Sequence, residues 1–442
     1  MSRTVIAAES LRNYLIKCAE TEKSPHGLII GQPSLEKKDY VIHFAQTRND
    51  NISIKEPEDK EPLGEQATER FGEEALVHHL VSATRMIPGS FFVLGLFVVC
   101  KEDVFSKRPC LESLKRVIRT SNSSLKRMKY NMTERLPQYI EEQLIFSFSS
   151  VTQTLVCKSY NTMTNALSPV QWKFVKNSPD WRLLETSYDF DDIFPLVGTE
   201  GNINLEQNFT HTLDNIALYI QNSEIFFQQE KVDEQMLLET YLKKNNSEEF
   251  ESLRANIFLT ELMSQATAPK LEKFEGTIKF QGTVLSRVWC HPKTSFKEIE
   301  EFIRNDIIRS VAARTQIFCD SLSNSDVSKE IIISEPPRRV FFRVPEIGGI
   351  QCCEYLFRNE TPEVACDQAK EILDLEIDPK DVLMNSEGLP DLDDTSSAMD
   401  IFAPVLNIKK TANEVTKQMY ILGITTAVVV LFASIALHFI LR

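Results

Sequence analysis

Residues 90–100 read SFFVLGLFVVC, eleven residues without a charge and without the polar–apolar alternation of a half-exposed strand. Such a run is a strand buried on both faces. A strand covered on both sides needs elements packed above and below it, so the predicted fold class is α+β with mixed sheets. Working back from it, Pro88-Gly89 stops a helix predicted over 75–86 by Leu76, Leu80 and Ala83. GLIIGQ (27–32) and YVIHF (40–44) read as two strands joined across PSLEKK, and Leu11, Tyr14, Leu15 and Cys18 stand at helical spacing. Residues 50–74 hold nine acidic and three basic residues and predict an exposed loop. These elements make a first unit, residues 1–150.

Beyond the buried strand, residues 101–135 carry ten basic and four acidic residues, and Leu111, Leu114, Val117 and Ile118 mark an amphipathic helix. Its basic side is either a solvated face or a contact for acidic lipid headgroups or an acidic partner. A middle region, 151–275, alternates strands such as TLVCKSY and VQWKFV with turns, and 232–267 reads as helical through Met236, Tyr241, Leu253 and Ile257. A third unit, 276–370, opens with GTIKFQGTVLSRVWCH (276–291), read as a hairpin between glycines. Ile299, Ile303, Ile307 and Val311 then predict an amphipathic helix, RRVFFRVP (338–345) and GGIQCCEYLF (348–357) a second hairpin, and 362–375 a closing helix. Residues 371–400 hold ten acidic residues and one lysine, and 371–415 reads as a solvated tether.

Residues 419–441 read MYILGITTAVVVLFASIALHFIL, 23 residues without a charge. At ~1.5 Å per residue that helix is about 34 Å long, enough for a hydrocarbon core of about 30 Å. Tyr420, Ile421 and Leu422 open the span, and Val428, Val429, Val430, Leu431 and Phe432 fill its middle. Ile435, Leu437, Phe439 and Ile440 close it. Lys409, Lys410 and Lys417 precede it and only Arg442 follows, which by the positive-inside rule keeps the upstream body in the cytosol. This is the arrangement of a tail anchor inserted after synthesis. Gly423, Thr425, Thr426 and Ser434 temper the span, which suits the thinner endoplasmic reticulum bilayer, with mitochondrial outer membrane as the alternative. The N-terminus has no apolar stretch that would serve as a signal peptide. A cytosolic body leaves the sequons at Asn51, Asn122, Asn131, Asn208, Asn245 and Asn359 unglycosylated and the nine cysteines reduced.

A net charge of −14 argues against a nucleic-acid binder, which needs a basic field. Most of that charge sits in the acidic loop and the tether, so the rest of the body is nearly neutral. Catalytic constellations are missing from the linear sequence. His78 and His79 are adjacent on a helix, point about 100° apart and cannot both grip one ion. Cys290 and His291 are adjacent on a strand and face opposite sides, a poor nucleophile–base pair. There is no phosphate-cradling glycine motif and no Gly-x-Ser-x-Gly. No catalytic residue, cofactor or metal is expected. The 27 phenylalanines read mostly as core packing, and Phe226-Phe227 and Phe341-Phe342 are the runs in which one ring could instead face outward toward a partner.

GLIIGQ (27–32), KDYVI (38–42) and TRMIPGSFFVLGLFVV (84–99) together resemble the odorant-response-abnormal-four family. WKFVKNSPDW (172–181), GTVLSRVWCH (282–291), RNDIIRSVAAR (304–314) and RRVFFRVP (338–345) continue the resemblance in order along the chain. Its motif positions here are Gly27, Gly31, Gln32, Tyr40, Arg85, Pro88, Gly89, Gly95, Trp172, Trp181 and Arg287. The resemblance implies a non-enzymatic, tail-anchored endoplasmic reticulum adaptor. It would support the folding and trafficking of odorant-type G-protein-coupled receptors and hold the cysteine protease of the ubiquitin-fold-modifier pathway at the membrane. It also implies an N-terminal domain similar to the MPN (JAB-type) peptidase fold, in which a His-x-His-x-x-Pro motif after the buried strand binds zinc. Here that strand runs into Cys100-Lys101-Glu102-Asp103, without the histidines, which implies a pseudo-enzyme. The competing reading is a membrane-tethered hydrolase of a ubiquitin-like modifier pathway, with Cys290 as the residue to test.

Overall fold

The computed structural model describes residues 3–21, 25–47, 72–128, 141–176, 179–196, 205–245, 252–259, 276–324 and 336–387. The expected span 419–441, Lys409, Lys410, Lys417 and most of the acidic loop 50–74 lie outside the described residues. Among the described residues no helix is long and apolar enough to cross a membrane.

The first half builds one sheet from β1 (Thr4–Ala8), β2 (His26–Gln32), β3 (Lys38–Gln46), β4 (Phe92–Cys100), β5 (Glu142–Ser149), β6 (Leu155–Asn161), β7 (Leu167–Pro169) and β8 (Gln171–Val175). Its order is β7-β6-β5-β4-β2-β3-β1-β8. The two outermost strands are consecutive in the chain, with only Val170 between them. Val170 N–H donates to Cys157 O on β6 (3.1 Å) and Gln171 N–H to Arg3 O beside β1 (3.0 Å). One bent segment therefore bridges the two ends of the sheet, β6 on one side and β1 on the other, and curls it into a barrel. Arg3 spans the closure, donating to Asp39 (2.6 Å), Glu142 O (2.9 Å) and Ser159 Oγ (3.0 Å).

The strand read as buried on both faces is β4, and every residue of it is buried. Phe92, Leu94, Phe97 and Val99 face one core with α1 (Glu9–Thr21), whereas Phe91, Val93, Leu96 and Val98 face another. The second core packs α2 (Glu73–Met86) and α3 (Arg108–Arg127). The parity changes between Leu94 and Phe97 because the ladder to β2 slips one residue there, a β-bulge that skips Leu94 beside Gly95. A Cβ on Gly95 would lie 2.0 Å from Leu144 O of β5, so the parallel β4–β5 ladder admits only glycine.

The second half carries β9 (Arg182–Leu196), α4 (Leu205–Gln221), β10 (Glu224–Phe227), α5 (Leu238–Lys244), β11 (Ser252–Phe258), β12 (Gly276–Cys290) and α6 (Phe296–Asn324). A small sheet, β10-β11-β9-β12, is followed by a second one, β14-β13-β15, made of β13 (Arg338–Val344), β14 (Ile350–Leu356) and β15 (Val382–Leu383). α7 (Pro362–Ile372) packs on β14 and α2. The β13–β14 hairpin forms as expected. Residues 276–290 do not make a hairpin. They form one strand paired with β9 along its whole length, from Gly276↔Leu196 to Cys290↔Arg182. Nor is 252–258 helical: Leu253 and Ala255 point in while Arg254 and Asn256 point out, a period of two.

The last buried helix, α6, was expected to show one apolar stripe, but residues 301–315 are buried on every side. The acidic stretch after α7 is packed over its first part, with Leu373, Leu375 and Val382 buried. Three elements clasp the end of α7. Tyr14 on α1 donates to Asp374 (3.0 Å), His43 Nε2 on β3 lies 2.6 Å from Leu373 O, and His79 Nε2 on α2 lies 2.6 Å from Ile372 O.

Candidate functional site: a seam between the two halves

The turn Pro88-Gly89, between α2 and β4, is pressed against α6. Gly89 N–H donates to Asp306 Oδ1 (2.7 Å), and Asn305 Nδ2 donates back to Gly89 O (3.0 Å). A Cβ at Gly89 would stand 2.5 Å from the Asp306 backbone nitrogen, so the approach requires glycine. Arg309, one turn along α6, donates to the carbonyls of Thr84 and Ile87 (both 3.2 Å) and lies 3.4 Å from those of Pro88 and Phe91. One guanidinium thus satisfies the carbonyls left open where α2 ends.

Asp306 also receives a bidentate fork from Arg339 on β13, at 2.8 and 2.9 Å, with both residues at most 1% exposed. Burial alone would raise the Asp306 carboxyl; the Arg339 charge and hydrogen bonds outweigh it and hold the group below the ordinary range. Burial lowers Arg309 to about 10, against the pull of Asp306. A second buried pair stands close by: Glu387 bonds Arg314 on α6 and accepts the Arg339 N–H (2.9 Å). Arg85 approaches the buried Glu354 of β14 at 3.6 Å.

On the other flank, Gln32 at the end of β2 joins three segments. Its Nε2 donates to Trp289 O (2.9 Å), and its Oε1 accepts from His291 N–H (2.9 Å) and Thr294 Oγ1 (3.0 Å). Trp289 N–H donates to Ser90 Oγ (3.2 Å). The Tyr40 ring stacks on His291 with centroids 3.7 Å apart, and Trp181 meets Phe91 (5.2 Å) and His291 (5.8 Å) edge-on. After His291, Ser295 and Glu298 form a capping box that starts α6, and Glu298 Oε1 also accepts the Leu35 N–H (2.7 Å).

Six motif positions therefore meet at this seam: Gln32, Tyr40, Arg85, Pro88, Gly89 and Trp181. Gly27, Gly31 and Gly95 serve close strand pairing in the barrel, and Trp172 packs inside it on Phe146 (4.5 Å). Arg287 lies apart on β12, bonded to Glu185 (2.8 Å) and Gln351 (3.2 Å). Asp306, Arg309 and Arg339 were not singled out from the sequence. The signal for Asp306 and Arg309 was charges set among the isoleucines and alanines of a helix buried on every side, and Arg339 stands in strand β13.

The chemistry available at the seam is structural. Cys290 is fully buried, and burial with the nearby Glu298 charge pushes its thiol well above the ordinary range, so no thiolate forms. Burial lowers His291 to about 4, leaving a neutral ring. After β4, Cys100 Sγ donates to Glu102 O (2.6 Å), and Asp103 caps a short 3₁₀ turn by accepting Phe105 N–H (3.2 Å). Among the described residues no three His, Cys, Asp or Glu side chains stand together as a metal site. Of the phenylalanine pairs, Phe227, Phe341 and Phe342 are buried, while Phe226 is half-buried and meets the exposed Phe258 edge-on at 5.3 Å.

The family model described as odorant response abnormal 4-like matches residues 27–384. "Protein odr-4 homolog" of Drosophila melanogaster is 30% identical, with 99% of each chain covered. The mouse protein of that name is 26% identical, over 88% of this chain and 86% of its own. The crystal structure of UfSP from C. elegans overlays 85% of this chain and 57% of that one, with a TM-score of 0.40 and 8% identity, and bears no weight here.

Proposed function

The chain belongs to the odorant response abnormal 4-like family, and from that premise we propose that it is a tail-anchored adaptor of the endoplasmic reticulum membrane. In this reading the cytosolic body supports folding and export of odorant-type G-protein-coupled receptors. It also recruits the cysteine protease of the ubiquitin-fold-modifier pathway to the membrane. The barrel half is an MPN-like pseudo-peptidase domain used as a binding surface, and residues 388–415 are the leash to the 419–441 anchor. A membrane-confined body raises the effective concentration of its partner near client receptors without any new contact.

The observation that supports a binding role over a catalytic one is the fate of the motif residues. Six of them are consumed in a buried seam, and the candidate nucleophile there, Cys290, is completely buried as a thiol. They fix the relative placement of the two halves, and with it whatever outer surface a partner reads. The test replaces 419–441 by a soluble tail in the full chain. Protease localisation and receptor delivery should both be lost; if both persist unchanged, the recruitment mechanism is wrong. A glycosylation acceptor fused after Arg442 should be modified, and failure to modify it would remove the endoplasmic reticulum assignment. The hydrolase alternative requires turnover of a modifier conjugate by the purified chain that disappears in Cys290→Ala.

A further inference from the structure

The exposed side of α3 is basic from end to end. At ~100° per residue, Arg108, Arg119 and Lys126 fall within about 20° of one line along the helix, and Arg127 stands about 100° round from it. All four are exposed. From Arg108 to Lys126 the line runs about 27 Å at ~1.5 Å per residue. Past Pro109 at its start, this arc holds no apolar side chain, only Glu112, Arg116, Thr120 and Ser123 besides. Its one carboxylate is engaged on the helix itself, where Lys115 donates to Glu112 (2.9 Å), and Arg116 is held by Glu73 (2.6 Å).

An apolar tip stands on one flank of this arc. Lys115, about 20° beyond the line, lies over the Tyr160 ring (5.5 Å), so the end of β6 runs along that side of α3. Three residues on, Met163 is 77% exposed. Asn161 Oδ1 accepts the N–H groups of Met163 (3.0 Å) and Thr164 (2.9 Å), and Tyr160 donates to Asn165 (3.1 Å). The turn between β6 and β7 is thus fixed, with its thioether held out in water. Exposed ion pairs alone hold a protein partner weakly, and the arc offers no aliphatic or aromatic anchor at its centre for one. A fluid anionic leaflet instead brings a headgroup to every basic side chain at once, each worth roughly fivefold in binding. We infer that the α3 face and the Met163 turn form a lipid-binding surface. It lays the barrel half on an anionic membrane, with Arg108, Arg119, Lys126 and Arg127 among the headgroups and Met163 dipping below them. The inference stands apart from the adaptor reading. If 419–441 spans the bilayer, the surface sets the posture of the body; if it does not, the surface is an attachment of its own.

The test uses the full chain with a photoreactive side chain at Ser123 or at Met163, on vesicles of phosphatidylcholine alone or with about 30% phosphatidylserine. Mass spectrometry identifies the adducts, and alkaline extraction of the same vesicles reports separately whether the chain is anchored. Both positions should link to lipid, several-fold more on the anionic vesicles, and the yield should drop when salt rises from about 0.05 to about 0.5 M. The triple variant Arg108→Glu/Arg119→Glu/Lys126→Glu should lower the yield roughly tenfold or more, with the corresponding Gln triple in between. The three side chains are exposed, so an unchanged melting curve separates this loss from a loss of fold. Equal adducts on neutral and anionic vesicles, lipid adducts at only one of the two positions, or a yield unmoved by the triple reversal would overturn the proposal. So would links to residues 48–71, to 129–140 or to a second copy of the chain in place of lipid.

Discussion

Replacing Asp306 by Asn keeps the shape of the side chain and removes its charge, which makes it the sharpest probe of the seam. The carboxylate is 0% exposed and receives Arg339 twice and Gly89 N–H once, while Arg309 packs one turn away. Its neutralisation leaves two buried guanidinium groups with one counter-charge fewer. Breaking a buried pair from one side costs about 3–5 kcal/mol, because the surviving charge stays desolvated. Against a typical total stability of about 5–15 kcal/mol, that is a large fraction. Arg339→Met should cost a similar amount, since Asp306 then loses its bidentate partner and stays buried. The double variant Asp306→Asn/Arg339→Met should cost at least about 2 kcal/mol less than the sum of the singles, the signature of two groups that depend on each other. Urea unfolding followed by tryptophan fluorescence reads this directly, because Trp181 and Trp289 flank the seam while Trp172 reports the barrel. A loss under about 1 kcal/mol in either single variant, or strict additivity in the double, would show that the seam is wet or that the pair is not formed.

Gly95→Ala should prevent barrel assembly, because its Cβ would sit 2.0 Å from Leu144 O; a soluble yield and melting curve equal to the parent would refute the close β4–β5 approach. Ser295→Ala removes the capping hydroxyl of α6 and should cost about 1 kcal/mol, a shift of roughly 2–4 °C in a thermal melt. Burial lowers both His79 and His291 to about 4 against an ordinary value of 6.5, so both are neutral in the folded body. Their contribution is complete above the unfolded-state value and is lost as pH falls from about 6.5 toward 4, up to roughly 3 kcal/mol each. The slope of stability with pH in that window should therefore flatten in His79→Gln, and an unchanged slope would mean that His79 charges without resistance in the fold.

The local elements of the barrel half were legible because their signals are local. The run 90–100, the helix before Pro88-Gly89 and the strands at 27–32 and 40–44 each carry their period in a few residues. Strand β1 was not, since TVIAA has no flanking turn signal and is held by two non-local parallel neighbours, β3 and β8. Residues 276–291 failed for the same reason in reverse. A strand with no turn pair inside it was given a partner from itself, while the true partner begins 94 positions earlier, Arg182 against Gly276 in first residues. The motif residues were visible as a set, but not that six of them share one seam, which depends on how α6 crosses the Pro88-Gly89 turn. Glu387 was hidden by composition. One carboxylate among many in an acidic stretch gives no hint that two buried arginine residues hold it.

Closure of the barrel also sets a schedule for the chain as it is made. The strand at residues 4–8 can pair with β3 once residue 41 is available, but its other edge waits for residues 171–175. At ~5–20 residues per second that wait is roughly 6–25 s, during which a row of amides and carbonyls stays unpaired on the nascent chain. The first strand synthesised is thus among the last to be completed. Substitutions in β8 that leave the finished body stable should still lower its yield in cells, by lengthening the time that edge stays open to other nascent chains.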